Sequence, residues 1–114
     1  MTVVLVAVAG AAGVLSRYGF TQALGASAAP WSVLAVNVAG SFAIGVLAGV
    51  GASEHVRLVA GIGFLGGFTT FSTFSLDVFA DLEAGRPGRA VAYIVLSVGL
   101  GIGAAAAGWA LARA

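Results

Sequence analysis

Long uncharged stretches divide the chain into segments that can cross a membrane. Acidic residues, lysine and arginine are absent from Met1–Ser16, Tyr18–Ser53, Leu58–Leu76 and Ala90–Ala112. A helix needs about 20 apolar residues to cross a bilayer, and the second stretch is long enough to include a turn. The pattern predicts an all-α membrane protein with a single transmembrane domain over residues 1–114. Four crossings are expected, at about residues 2–24, 32–51, 56–83 and 89–111.

The composition supports this prediction and excludes other classes of protein. The chain is 61% hydrophobic and 8% charged, which is too apolar for a soluble domain of its length. It has no cysteine, so disulfides and thiolate metal sites are excluded, and its net charge of +1 provides no basic tail for nucleic acid. The first crossing lacks the basic start of a signal peptide, and we expect it to be retained.

The third crossing contains an unusual stretch, GIGFLGGFTTFSTFS at Gly61–Ser75. Glycine loosens a helix, and Gly66 and Gly67 directly precede a run of hydroxyl residues. We therefore expect a break near residues 66–70, which at membrane depth must be buried in protein or line a cavity. Carbonyls freed by such a break could bind a cation, and freed amides could attract an anion. The residues alone leave both possibilities open.

Polar and aromatic side chains near the predicted break are candidates for an ion pathway. The five hydroxyls in Thr69–Ser75 exceed what bonding back to the helix requires, and they suit an ion that must shed water without being trapped. Phe71 and Phe74 can turn positive ring edges towards an anion, although phenylalanines at this spacing are more often core or lipid-facing residues. Asn37 lies in mid-span, where its amide either joins helices or contacts the ion.

The arginines are balanced between the two sides of the membrane. Four crossings place both termini on one side, so Arg57 and Arg113 lie opposite Arg17, Arg86 and Arg89. Because arginine and lysine asymmetry sets orientation, a chain this balanced can insert in both directions. Glycine-rich faces on the second and fourth crossings predict close packing and oligomerisation. Arg17 either reaches the headgroups or faces an aqueous vestibule.

The segment GGFTTFSTFS at Gly66–Ser75 resembles the signature of the CrcB/Fluc fluoride channels. The similarity continues through GAAGVLSRY at Gly10–Tyr18, NVAGSFAIG at Asn37–Gly45, and Tyr93 and Ser97 in the last crossing. It implies a dual-topology homodimer of two antiparallel copies with two fluoride pathways. The implied function is passive fluoride export across the bacterial inner (plasma) membrane, which protects the cell from fluoride toxicity.

The resemblance also implies roles for individual residues. The fluoride pathway would be formed by Asn37, Phe71, Ser72, Thr73, Phe74, Tyr93 and Ser97. The backbone carbonyls of Gly66 and Thr69 from both copies would hold a structural sodium ion (Na⁺) at the dimer centre, and Arg17 would lie towards the vestibule. Asp77 stands where many members of the family have glutamate, which leaves its role open.

Two other functions compete with a fluoride channel. Small multidrug-resistance transporters share the length, the four crossings and the dual topology, but they rely on a glutamate in the first crossing, and residues 2–24 contain no acid. A structural membrane subunit would use the same polar residues only to hold helices together. No nucleophile, base and orienting acid cluster in the sequence, so we expect no enzyme.

Overall fold

The computed structural model describes all of residues 1–114 and is entirely helical. Four helical segments are long and apolar enough to cross a membrane, which confirms the prediction from the uncharged stretches. The helices are α1 (Thr2–Leu24), α2 (Trp31–Gly49), α3 (Glu54–Val56), α4 (Gly66–Phe68), α5 (Phe71–Glu83) and α6 (Pro87–Arg113). A 3₁₀ turn (Ala26–Ala28) follows α1, and a π-helical segment (Arg57–Leu65) joins α3 to α4.

Glycine and proline determine where the crossing helices begin and end. α1 covers residues 2–24 and stops at Gly25, whose φ is 81°. α2 ends at Gly49, slightly before the expected residue 51, because the chain turns there and Gly51 takes a φ of 65°. α6 begins at Pro87 rather than at residue 89, since proline fits a first helical turn, where its missing N–H is not needed.

The third crossing is irregular along its first half and broken in its middle. It runs over Glu54–Glu83 and includes α3, the π-helical segment, α4 and α5. The break consists of Thr69 and Thr70, whose extended backbones have ψ angles of 159° and 118°. Gly66 and Gly67 remain helical. The break therefore lies within the expected range of 66–70, but the unwound residues are the threonines and not the glycines.

Two helix pairs build the fold, and glycine brings the members of each pair close together. α1 packs along the π-helical segment and α4, while α2 packs along α6. A Cβ atom at Gly13 would lie 2.1 Å from the Phe64 carbonyl oxygen, and one at Gly108 would lie 2.2 Å from the Phe42 carbonyl oxygen. Larger residues at these two positions would push the helices apart.

Most of the surface of the chain is apolar and uncovered. Only 13 of the 114 residues are buried, and large apolar side chains are exposed on every crossing. The protein is 46 Å long, which matches a bilayer of about 40–45 Å including its headgroups. The protein is therefore a multi-pass membrane protein whose surface is covered by lipid or by other subunits.

Candidate ion pathway at the helix break

The break leaves several carbonyls of the third crossing without their usual helical partners. The Leu65 carbonyl still accepts a hydrogen bond from the Thr69 N–H, at 2.9 Å. The carbonyls of Gly66, Gly67, Phe68 and Thr69 accept none from the backbone amides that follow them. Because lipid offers no hydrogen-bond donors, these carbonyls need partners from side chains, water or ions.

Asn37 on α2 binds the backbone of the break through both ends of its side-chain amide. Its Oδ1 accepts a hydrogen bond from the Thr70 N–H at 2.8 Å, and its Nδ2 donates to the Thr70 carbonyl at 3.0 Å. The amide thereby replaces the helical partners that Thr70 lacks. It uses one of its two N–H hydrogens in doing so, which leaves the other for a further acceptor. Asn37 therefore joins two helices, one of the two roles expected for it.

Arg17 on α1 also reaches the break. Its Nε donates a hydrogen bond to the Gly67 carbonyl at 3.3 Å. Arg17 also lines a cavity of about 250 Å³ whose other polar residues are Thr21, Gln22, Ser32, Thr73 and Asp77. The predicted vestibule residue thus lies at a polar cavity and contacts the break at the same time.

The Thr70 side chain caps the N-terminus of α5. Its Oγ1 accepts a hydrogen bond from the Thr73 N–H at 3.2 Å and donates one to the Thr73 Oγ1 at 3.2 Å. The Ser72 hydroxyl lies 3.4 Å from the same Oγ1. Thr70 is missing from the predicted pathway, although a hydroxyl residue just before a helix is the ordinary N-cap signal. The exposed Ser72 and the half-buried Thr73 are thus gathered around one hydroxyl.

The two predicted phenylalanines lie together on α5 but differ in exposure. The ring centroids of Phe71 and Phe74 are 5.6 Å apart. Phe74 packs against Tyr93 on α6, with the two ring centroids 5.1 Å apart, whereas Phe71 is 78% exposed. The Phe71 ring is therefore an exposed apolar surface directly beside the helix break.

Tyr93 and Ser97 lie one turn apart on α6, where Tyr93 packs behind Phe74. Tyr93 is fully buried and meets the Trp31 ring edge-on at 5.8 Å. Its hydroxyl makes a long contact of 3.5 Å with Asp77 Oδ2. The Ser97 Oγ is buried and has no hydrogen-bond partner. A buried hydroxyl without a partner is costly, and the Ser97 hydroxyl has no acceptor within the chain.

A groove beside α2 is lined by two of the residues whose carbonyls lack backbone partners. Its volume is about 350 Å³, and its lining includes Asn37, Gly40, Ser41, Gly66, Thr69, Thr70 and Phe71. Gly66 and Thr69 belong to this lining, whereas Gly67 does not. Carbonyl oxygens are the groups that replace the water shell of a monovalent cation in proteins. Gly66 and Thr69 would each offer one carbonyl oxygen of this kind.

The structure does not bring the predicted pathway residues together in a single cavity. Asn37 and Phe71 line the groove, Thr73 lines the cavity at Arg17, and Phe74 packs against Tyr93 of α6, the helix that also carries Ser97. No single cavity of the chain therefore joins these groups into one path.

A buried carboxylate near the end of α5 is missing from the predicted set. Asp81 is 4% exposed, and its Oδ1 accepts hydrogen bonds from the Nε and Nη2 of Arg86 at 3.0 and 2.9 Å. The Nε of Arg89 lies 3.5 Å from the other carboxylate oxygen. An acid at the end of a crossing, followed closely by two arginines, is the sequence signal for this cluster.

Comparison with known proteins decides the family. The family model described as CrcB-like protein, Camphor Resistance (CrcB) matches residues 4–109, which is nearly the whole chain. The chain belongs to the CrcB family. The CrcB assignment confirms the resemblance found in the GGFTTFSTFS segment and its companions, which had pointed to CrcB/Fluc proteins.

Relatives of this CrcB protein carry the name fluoride-specific ion channel FluC. One from Erythrobacter litoralis is 46% identical, with the alignment covering 95% of this chain and 89% of the relative. One from Rhodospirillum centenum is 45% identical, covering 97% of this chain and 94% of the relative. One from Rhizobium leguminosarum bv. trifolii is 49% identical, with coverage of 96% and 94%. The similarity thus extends over the full set of crossings.

Proposed function

We propose that this protein is a fluoride-selective ion channel that exports fluoride passively across the bacterial plasma membrane. The observation that carries the proposal is its membership of the CrcB family, together with close similarity to proteins named fluoride-specific ion channel FluC. The activity is ion transport and not enzymatic catalysis. Passive export protects the cytoplasm because fluoride that enters as the neutral acid can leave down its electrochemical gradient.

The donors around the break suit a small and strongly hydrated anion. Fluoride gives up water only where other hydrogen-bond donors replace it. The unused N–H of Asn37, the unpartnered hydroxyl of Ser97 and the hydroxyls of Ser72 and Thr73 are such donors. Tyr93 and the ring edges of the two phenylalanines complete the proposed pathway. None of these groups carries a fixed charge that would trap the ion.

The functional unit in this proposal is an antiparallel dimer with dual topology. Balanced arginines allow both orientations in the membrane. The exposed Phe71 and the open groove beside α2 provide a surface that a second copy can cover. The dispersed pathway residues also support a dimer, because an apposed subunit can complete a path that one subunit leaves open. Lipid covers the remaining apolar surface.

A structural sodium ion at the dimer centre belongs to the same proposal. The Gly66 and Thr69 carbonyls lack backbone partners and belong to residues that line the groove, so two facing copies would offer a cage of oxygen ligands. Bound sodium would supply the positive charge that holds these carbonyls together. Exchanging sodium for a bulky organic cation should then weaken the purified dimer on size-exclusion chromatography, and an unaltered dimer would count against the site.

Fluoride release from liposomes tests the channel against the two alternatives. Phe71→Ile should abolish most fluoride efflux measured with a fluoride electrode, while the dimer assembles normally. Phe79→Ile, which changes another exposed phenylalanine of α5, is the matched control and should leave efflux unchanged. Phe71 is instead structural if Phe71→Ile lowers the fraction of protein that forms dimers while the dimers that do form conduct fluoride normally. Drug transport driven by a proton gradient would favour the exporter, despite the absence of an acid in α1.

A further inference from the structure

Two side chains form hydrogen bonds with backbone groups that would bond within the helix if the third crossing were unbroken. In such a helix the Thr70 N–H would donate to the Gly66 carbonyl, and the Phe71 N–H would donate to the Gly67 carbonyl. Asn37 takes the Thr70 N–H, and Arg17 takes the Gly67 carbonyl. We propose that Arg17 is a positioning residue that keeps the third crossing open at its break. This role is separate from any effect of its charge on anions in the vestibule.

The packing of α1 fixes the place from which Arg17 reaches the break. Gly10, Gly13 and Arg17 lie on one face of α1, at spacings of three and four residues. A Cβ atom at Gly67 would lie 2.4 Å from the Gly10 carbonyl oxygen, and one at Gly13 would lie 2.9 Å from the Phe68 nitrogen. The α1 backbone therefore lies directly against α4. Because this contact leaves no room for adjustment, the partly buried Arg17 is held within reach of the Gly67 carbonyl.

The charge of Arg17 suits this position. Helical residues 54–68 end at the break, and the free carbonyls there form the negative end of the helix dipole. A guanidinium group is always protonated, and its hydrogen bonds to carbonyls are charge-assisted. Without it, the Gly67 carbonyl would be left unsatisfied unless the Phe71 N–H returned to it. Loss of Arg17 therefore favours closure of the break, which would rotate Phe71 at the start of α5.

Hydrogen exchange followed by mass spectrometry tests this inference independently of transport. The Phe71 and Ser72 amides have no backbone acceptor on the far side of the break. In Arg17→Met we expect the peptide over residues 66–75 to exchange several-fold more slowly than in the wild-type dimer, because closure protects these amides. Arg17→Lys keeps a cationic donor and should restore the wild-type rate. Unchanged or faster exchange in Arg17→Met would overturn the proposal, since a simple loss of packing accelerates exchange.

The controls address folding and electrostatics. Arg57→Met removes an exposed arginine that contacts a loop carbonyl, and it should exchange like the wild type over residues 66–75. Arg17→Leu, which also lacks any hydrogen-bond donor, is the alternative variant if Arg17→Met does not assemble, and the same slower exchange is expected. Faster or unchanged exchange in Arg17→Leu would again overturn the proposal.

The dependence of flux on ionic strength separates positioning from charge, and this second test rests on the proposed function. Salt screens a vestibule charge, with a Debye length of about 3 Å at 1 M against about 30 Å at 0.01 M. We expect Arg17→Met to reduce fluoride flux by the same factor at both ionic strengths. If the flux through Arg17→Met equals the wild-type flux at high salt, Arg17 acts only through its charge and the proposal is wrong. If the wild type conducts no fluoride, the proposed function fails while the exchange result still decides the role of Arg17.

Discussion

Asn37→Ala removes the contact that holds the backbone of the break to α2. The wild-type side chain makes two hydrogen bonds to Thr70, at 2.8 and 3.0 Å, one to its N–H and one to its carbonyl. Alanine makes neither and leaves a donor and an acceptor without partners in a half-buried position. The substitution also removes the amide N–H that we propose for fluoride. It should therefore affect the helix break and the ion pathway together.

The size of the effect follows from the two groups left without partners. Each unsatisfied group costs about 1–3 kcal/mol, so the pair costs about 2–6 kcal/mol if nothing relaxes. Closure of the break would return the Thr70 N–H to the Gly66 carbonyl, so the measured loss of stability should fall near the lower value. If about 2 kcal/mol is added to the conduction barrier, the fluoride flux falls by roughly 30-fold.

Two measurements on the same purified samples check this prediction. Fluoride efflux from liposomes gives the loss of conduction, and thermal unfolding in detergent gives the loss of stability. Ser41→Ala is the matched control, because Ser41 lies one turn further along α2 and lines the same groove. It should unfold and conduct like the wild type. Wild-type flux together with a wild-type unfolding temperature in Asn37→Ala would refute the assignment of Asn37 to the break.

Two further substitutions test the packing and the buried charge. Gly108→Ala places a Cβ 2.2 Å from the Phe42 carbonyl oxygen and should lower the unfolding temperature, whereas Gly103→Ala on the same helix enters open space and should not. Equal unfolding temperatures would contradict the close α2–α6 contact. Asp81→Asn weakens the ion pairs with Arg86 and Arg89 and should cost about 1–3 kcal/mol of unfolding free energy, while Glu83→Gln at an exposed position should cost almost none. A stable Asp81→Asn protein would show that the cluster is dispensable.

The sequence predicts the crossings well because their length and lack of charge are local properties. It also predicts a break in the third crossing, from the combination of glycine with a hydroxyl run. It does not predict which residues unwind, because the partner of the extended Thr70 backbone is Asn37 on another helix. The same holds for the contact of Arg17 with the Gly67 carbonyl. Such contacts join distant parts of the chain, and nothing in the neighbouring residues encodes them.

The candidate site is predictable as a set of residues but not as an arrangement. The family motif names Phe71 and Phe74 together, yet one ring is exposed and the other packs on Tyr93. Asp81 is missing from the prediction because an acid near a helix end is commonly solvated, whereas here the fold buries it beneath two arginines. Burial depends on the turn between α5 and α6, which composition does not determine.

The most direct test of the central claim compares fluoride and chloride release from the same liposomes. Purified wild-type protein is reconstituted at low density, and each anion is followed with its own electrode after the membrane potential is short-circuited by a potassium ionophore. The proposed channel should release fluoride rapidly and chloride barely above the protein-free background. Comparable release of the two anions, or no release of fluoride, would contradict a fluoride-selective channel.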